Sequence, residues 1–138
     1  MALNLIATTA GALAFLQNAV SWQASLGGDW TCLLFSNNYT VVDATVLSNL
    51  TEAAFSGYSR IVPSWSAPAI VGGVPTRVGS TITWNYTGVS TYTVYGMYIT
   101  DAAVTQLLGA VNFPAPVVLT VAQPSYSAQP NVTMISQY

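Results

Sequence analysis

The chain has no lysine, no histidine, a single cysteine, and six charged side chains in 138 residues: Arg60, Arg77, Asp29, Asp43, Glu52 and Asp101. Each shortage excludes a class of chemistry. Without histidine or lysine, general acid–base catalysis near neutral pH loses two of its three usual side chains, and a serine nucleophile has no base beside it. One cysteine without histidines cannot supply the clustered ligands of a zinc or iron site. Two arginines cannot neutralise a phosphate backbone, so nucleic acid is not expected as a partner. Cys32 has no partner for an intrachain disulfide, and within Trp30-Thr-Cys-Leu-Leu-Phe35 it reads as a small buried hydrophobe.

A long uninterrupted hydrophobic run is missing too. Residues 1–20 are mostly apolar, but Asn4, Thr8, Thr9, Gln17 and Asn18 interrupt them and no positive cluster accompanies them. They read neither as a membrane span nor as a secretory signal, so no membrane partner and no export are expected. Asn-X-Thr triplets begin at Asn38, Asn49, Asn85 and Asn131. With no export expected, an Asn- and Thr-rich composition accounts for them better than glycosylation does.

What is present is apolar and uncharged. Apolar types make up 52% of the chain and charged types 4%, where an ordinary globular protein has about 25% charged. A folded chain of this mass exposes on the order of 7,000 Å². The cover comes from 16 Thr, 13 Ser, 8 Asn and 6 Gln, which hydrogen-bond without the desolvation cost of ions. A net charge of -2 and a mean hydropathy of +0.50 leave little repulsion between copies. The chain therefore reads as one that packs against neighbours, including itself as a dimer or trimer.

The length suits one domain. Residues 1–28 read as an N-terminal arm or helix, with Leu13, Leu16 and Val20 at helical spacing, and residues 29–138 as a single β domain. Apolar runs bounded by turn residues predict strands at 30–35, 58–65, 81–86, 92–100, 107–113, 117–122 and 132–135, with a weaker one at 69–71. Pro114 and Pro116 are expected to end one strand before the next begins. Asn49-Leu-Thr-Glu52 has the spacing of a helix cap, predicting a short helical turn over residues 50–55 that Gly57 stops. The fold class is mainly β: an antiparallel β-sandwich or jelly roll with an N-terminal helix or arm and one short helical turn.

Alternation assigns faces. In Thr81-Ile-Thr-Trp-Asn-Tyr86 the core face is Ile82, Trp84 and Tyr86 and the wet face Thr81, Thr83 and Asn85. In residues 91–99, Tyr92, Val94 and Tyr98 fall on one face and Tyr95, Met97 and Ile99 on the other, so neither face suits water. A strand of this kind is covered twice, and a neighbouring subunit is favoured over the N-terminal helix as the second cover.

The carboxylates Asp29, Asp43, Glu52 and Asp101 are the only acid–base candidates, and each has a structural explanation: two beside turns, one in a cap, one at a strand end. No catalytic constellation and no cofactor are expected. Calcium is the one ion whose oxygen donors the chain holds, in Asn37, Asn38, Asp43 and Asp101, yet no calcium-loop spacing joins them. Arg60 is expected to pair with Glu52 across the Gly57 turn. Among the aromatics, Trp84 and Trp30 read as core, while Trp22 and Trp65 adjoin polar or proline-containing stretches. The expected interface residues are Leu5, Leu13, Leu16, Trp22, Trp65, Tyr95 and Met97. The expected structural residues are Asn49, Glu52, Gly57 and Arg60.

Three segments carry a resemblance: Leu34-Phe-Ser-Asn-Asn-Tyr-Thr40, Thr45-Val-Leu-Ser-Asn-Leu-Thr-Glu-Ala-Ala-Phe-Ser-Gly-Tyr58 and Val94-Tyr-Gly-Met-Tyr-Ile-Thr-Asp-Ala102. Together they resemble small virion structural proteins of tailed bacteriophages, over residues 30–113. The resemblance implies a capsid cement or decoration protein with a jelly-roll body. It would be made in the host cytoplasm and seated on the outer capsid surface against the major capsid protein. The alternative is a tail, fibre or adhesin module whose Trp, Tyr, Asn and Thr side chains bind host glycans.

Overall fold

Short runs of β-branched and aromatic residues, broken by Gly, Pro and Asn, build eight strands. The computed structural model describes residues 2–7, 30–67, 69–71 and 74–133. The strands are β1 (Ala2–Ala7), β2 (Thr31–Phe35), β3 (Ala69–Val71), β4 (Val74–Val78), β5 (Ile82–Asn85), β6 (Tyr92–Thr100), β7 (Leu107–Leu119) and β8 (Ser125–Thr133). The strand order is β2-β6-β7-β1-β8-β4-β3, and β5 pairs with β8 beside that path. The fold is mainly β and mostly antiparallel. The one parallel pairing among the described residues is β1 with β8, from Ala2 opposite Gln129 to Ile6 opposite Thr133.

One edge of β8 serves two strands in succession. Thr76–Val78 of β4 faces residues 131–133, Gly79 donates to the Pro130 carbonyl at 2.8 Å, and β5 faces residues 125–128. The outer edge of β2 is occupied by chain that is not itself a strand. Phe35 bridges to Glu52 and Cys32 to Ile61, and Trp65 then bridges to Gly79 beyond β4. Residues 52–65 thus run from the open edge of β2 to Gly79 beyond β4, which protects an edge that would otherwise template foreign pairing.

Several expectations need correction. Residues 2–7 form a strand, not a helix or free arm, because their amides pair with β7 and β8 and this tertiary pairing overrides a helix-favouring Ala/Leu composition. The remainder of the expected arm, with the domain boundary after residue 28, lies outside the described residues. Residues 58–65 make isolated bridges instead of a strand, and Pro63 between Ile61 and Trp65 lacks the donor a ladder needs. Pro114 and Pro116 do not divide β7. Val94 faces Val117 and Gly96 faces Asn112, so Tyr95 alone stands opposite residues 113–116, and both prolines lie exposed in that bulge where no ladder N–H is required.

The helical turn is also displaced. A single 3-10 turn occupies Leu47–Asn49, and Leu50 is already extended. Asn49 Oδ1 accepts the Val46 N–H at 2.9 Å, so Asn49 closes the turn before it and does not cap one after it. Residues 51–53 are drawn onto β2 by Ser36 N–H to Thr51 O and Ala53 N–H to Leu34 O, both 2.9 Å. With sheet partners available, those amides do not turn into a helix.

Two hydrophobic clusters flank β2, β6 and β7. The larger joins Cys32, Leu34, Met97, Ile99 and Leu119 to Ile82, Trp84, Ala128 and Val132 of β5 and β8. The smaller holds Leu33, Phe35, Tyr98, Leu107 and Ala110 beneath Leu50, with Tyr39, Val41 and Leu47 packed against it. β6 is therefore covered on both faces, and among the described residues the chain's own segment 39–50 packs on the second. Asn112 pins that segment: its Oδ1 accepts the Val41 N–H and its Nδ2 donates to the Tyr39 carbonyl, each at 2.7 Å. The bulge also moves Met97 and Ile99 to the same cluster as Tyr92 and Val94, while Tyr95 and Tyr98 join the other, correcting the simple alternation.

Candidate functional site

Glu52, Arg60 and Asp101 are spent on local bonds. Arg60 donates from Nε to Glu52 Oε1 at 2.8 Å and from its terminal nitrogen to Oε2 at 2.7 Å. The guanidinium bonds hold the Glu52 carboxyl below its ordinary range, and the Tyr58 hydroxyl adds a further bond to it. The same hydroxyl accepts the Leu34 N–H at 3.3 Å, and burial pushes its own pKa up. Asp101 closes the turn between β6 and β7. Its Oδ1 accepts the N–H groups of Thr105 at 2.8 Å and Gln106 at 2.9 Å, and its Oδ2 accepts the Thr105 hydroxyl at 2.6 Å. Burial alone would raise the Asp101 carboxyl, but the bonds from Thr105 and Gln106 outweigh it and hold the group low.

These bonds decide what the carboxylates can do. Glu52 and Asp101 commit both oxygens to neighbours, the arrangement of a staple and of a loop closure. Among the described residues no three acidic or cysteine side chains gather as a metal site. Of the calcium candidates, Asn37 uses its side chain on the backbone of residues 49 and 51, at 2.8 Å each way. Asn38 and Asp43 are exposed on the segment beyond it, and Asp101 is closed into its own turn. Asp29 lies outside the described residues.

An aromatic and cationic group forms where residues 64–66 meet residues 78–80. Trp30 and Trp65 pack edge to face at 5.2 Å, and Trp65 Nε1 donates to the Trp30 carbonyl at 3.2 Å. The Arg77 guanidinium lies 4.8 Å from the Trp30 ring centre and 5.7 Å from that of Trp65, while its Nε donates to the Ser66 carbonyl at 2.9 Å. Burial lowers the Arg77 pKa. Trp65 keeps part of its surface open, so the group is half core and half platform.

The outer face of the β5–β8 pair is different in character. Thr81, Thr83, Asn85, Ser125 and Ser127 all point outward and are exposed, while Ile82, Trp84 and Ala128 point inward. Thr83 and Ser127 face each other in register with their hydroxyls 2.7 Å apart. Such a face offers donors and acceptors with no ion to desolvate.

Of the expected interface residues whose side chains are described, Met97 and Trp65 belong to the larger cluster and Tyr95 to the smaller. Met97 is fully buried in the larger cluster and is not available at the surface, a correction that follows from the bulge of β7 against β6. Tyr95 is half-buried beside the smaller cluster, and Trp65 half-buried in the tryptophan–arginine group. Leu5 lies on β1, paired with Val132, and Leu13, Leu16 and Trp22 lie outside the described residues. Asn112, Arg77 and the Thr83–Ser127 pair were not singled out by sequence. Only the alternation of residues 81–86 carried a signal for one of them. Among the described residues no helix is long and apolar enough to cross a membrane. Compared with protein-family models, curated proteins and solved structures, the chain matches none.

Proposed function

We propose that this chain is a bacteriophage virion structural protein, a capsid cement or decoration protein that binds the assembled shell as a homo-oligomer. The observation that carries the proposal is the exposed Thr81, Thr83, Asn85, Ser125 and Ser127 face, uncharged across two strands. Contacts made through hydroxyls and amides avoid ionic desolvation, and a protein binding only the assembled coat stabilises it by mass action. The resemblance of residues 30–113 to small virion proteins of tailed phages supports the same function. A cluster shared between β2, β6 and β7 on one side and β5 and β8 on the other supports a sandwich or jelly-roll body.

Quantitative mass spectrometry of purified particles tests this. Hundreds of copies per particle are expected, retained through a moderate sodium chloride wash because uncharged contacts are little screened. Stripping by that wash would reject the mechanism. A few to a few dozen copies would favour the second reading, a tail or fibre module that binds host glycans. The partly open Trp65 ring, held by Trp30 and Arg77, is what favours that reading, since sugar faces stack on such rings.

A further inference from the structure

Two connections run side by side at one end of the strand array. Residues 87–91 join β5 to β6, and residues 120–124 join β7 to β8. They are paired where they begin and end: Tyr86 donates its N–H to the Pro124 carbonyl at 2.6 Å, and Tyr92 faces Leu119. Residues 54–56 flank the first connection as well. Thr87 donates its N–H to the Ser56 carbonyl at 2.9 Å, and the Tyr92 hydroxyl accepts the Ala54 N–H at 2.9 Å.

Both connections are held stiffly. The Tyr86 hydroxyl donates to the Ser90 carbonyl, Gly88 lies against the Tyr86 ring with no room for a side chain, and the Ser56 and Thr87 hydroxyls bond at 2.8 Å. Thr120 and Gln123 exchange N–H to carbonyl bonds of 3.1 Å each, and Thr120 Oγ1 also accepts the Gln123 N–H at 2.9 Å. The tips hold valines out into solvent: Val89 is 94% exposed and Val121 69%. With Val118 on the adjoining stretch of β7, three of the six large apolar side chains that stand exposed among the described residues are at this end. Ala54, Ala122 and Pro124 are exposed beside them. Apolar exposure gathered in one place marks a contact site, as single exposed valines do not.

Charge and shape say what fits this end. Residues 53–59, 86–92 and 118–125 hold no charged side chain. Arg77 faces Val132 at the far end of β8, and Asp101 follows the far end of β6. Phosphate-bearing surfaces are met by cations, and bilayer interfaces by Trp and Tyr, and the two tips have neither. A β-branched side chain on a stiff turn loses little freedom on docking and has no ion to desolvate. The matching surface is an uncharged protein with shallow apolar sockets. Two copies meeting tip to tip would set knob against knob, so the partner is a different chain. The tips also adjoin the outward hydroxyl face, whose Asn85 and Ser125 stand next to Tyr86 and Pro124.

We infer that Val89 and Val121 are paired anchors that seat in apolar sockets of the coat-protein subunits. The inference rests on the shell-binding function proposed above and specifies its contact.

The test is co-sedimentation of the full chain with shells assembled from the major capsid protein alone. Val89→Asp with Val121→Asp is compared with Val42→Asp with Val62→Asp, which adds the same charge at two valines that are each 52% exposed elsewhere. Burying one valine changes affinity by roughly tenfold, so the tip variant is expected to bind about 100-fold more weakly or worse, and the control within about threefold of wild type. Undiminished binding by the tip variant would overturn the anchors yet leave shell binding standing. An equal loss in the control would do the same. A wild-type chain that ignores the shells would remove both the anchors and the function they rest on. Tip-dependent sedimentation with neutral phosphatidylcholine vesicles, or a self-oligomer that the tip variant disperses, would overturn the coat socket in favour of a lipid surface or a second copy.

Thermal melts establish that the variants fold. Should the tip aspartates lower the midpoint, Val89→Thr with Val121→Thr replaces them, keeping the shape and adding only hydroxyls. A loss of about tenfold is then expected, and undiminished binding overturns the anchors.

Discussion

Arg60 and Glu52 stand at the two points where residues 53–60 leave and rejoin the edge of β2. Glu52 bridges to Phe35, Ile61 beside Arg60 bridges to Cys32, and the two-point ion pair closes the base of the excursion between them. Within the excursion Phe55 packs edge to face against Tyr58, Tyr86 and Tyr92 at 5.1 to 5.9 Å. The ion pair therefore acts on the loop that guards an edge strand.

Replacing Glu52 by Gln, or Arg60 by Ala, is expected to cost no more than about 1 kcal/mol, because Arg60 is half exposed and solvent screens the pair. The local effect should be larger than the global one. Hydrogen exchange at Ala53 and Ile61, whose amides bond to β2, should accelerate in either variant while amides of β6 and β7 keep their protection. Uniform acceleration across all strands would refute the staple.

Gly57 has φ +91°, and a Cβ there would stand 2.5 Å from the Asn85 carbonyl oxygen. Left-handed backbone costs a residue with a side chain roughly 1–2 kcal/mol, and the clash adds to it. Gly57→Ala is expected to lower thermal stability by several degrees, measured by circular dichroism. An unchanged midpoint would show that the turn can relax.

Gly96 sits in β6 at the bulge, where an added Cβ would run into the Val111 carbonyl oxygen and the Phe35 ring. Both belong to buried structure that cannot give way cheaply, so Gly96→Ala should destabilise by about 3 kcal/mol or more, at the severe end of overpacking. Chemical denaturation reads this directly. Gly96→Ala is expected to cost more than Gly57→Ala, since one obstacle at Gly96 is a ring packed in the core.

With no histidine, no side chain titrates between the carboxylates and the thiol, so stability should be flat from about pH 5 to pH 9. Cys32 has its pKa pushed from 9.0 up to about 12 by burial, so the unfolded chain loses the proton first. Its contribution is complete below pH 9 and drains away as pH rises toward 12. Cys32→Ala should move the alkaline onset about one unit upward, toward the tyrosines, whose buried members Tyr58, Tyr98 and Tyr126 are raised from 10.0. On the acid side Glu52 and Asp101 are depressed. Their contribution is present above the ordinary carboxylate values of 4.5 and 3.8 and is lost as pH falls through the lower folded values. Thermal melts across pH 3 to 11 check both limbs.

Much of the fold was legible where a strand is wet on one side. Ile82 and Trp84 inside, Thr83 and Asn85 outside, follow from side chains alternating across a pleat, which needs no knowledge of the rest of the chain. The boundaries of β6 at Tyr92 and Thr100 were legible for the same reason, but its faces were not. The bulge opposite residues 113–116 shifts the alternation by one, and a bulge depends on the partner strand. Of the candidate site, the proximity of Glu52 and Arg60 was readable from their spacing around a glycine turn. Arg77 between Trp30 and Trp65 was not, because the three come from segments that meet only through the Trp65 bridge to Gly79.

By composition alone the chain is committed to a β-rich body with an uncharged polar exterior, because strand propensity, turn residues and the scarcity of ions are local properties of residues. Tertiary structure decided the rest: that Ala2–Ala7 is a strand, that Pro114 and Pro116 lie within β7, and that segment 39–50 covers the second face of β6. Each of these turns on which backbone groups find partners far away in the chain, and hydrogen-bond satisfaction between distant strands leaves no mark in a local window of sequence.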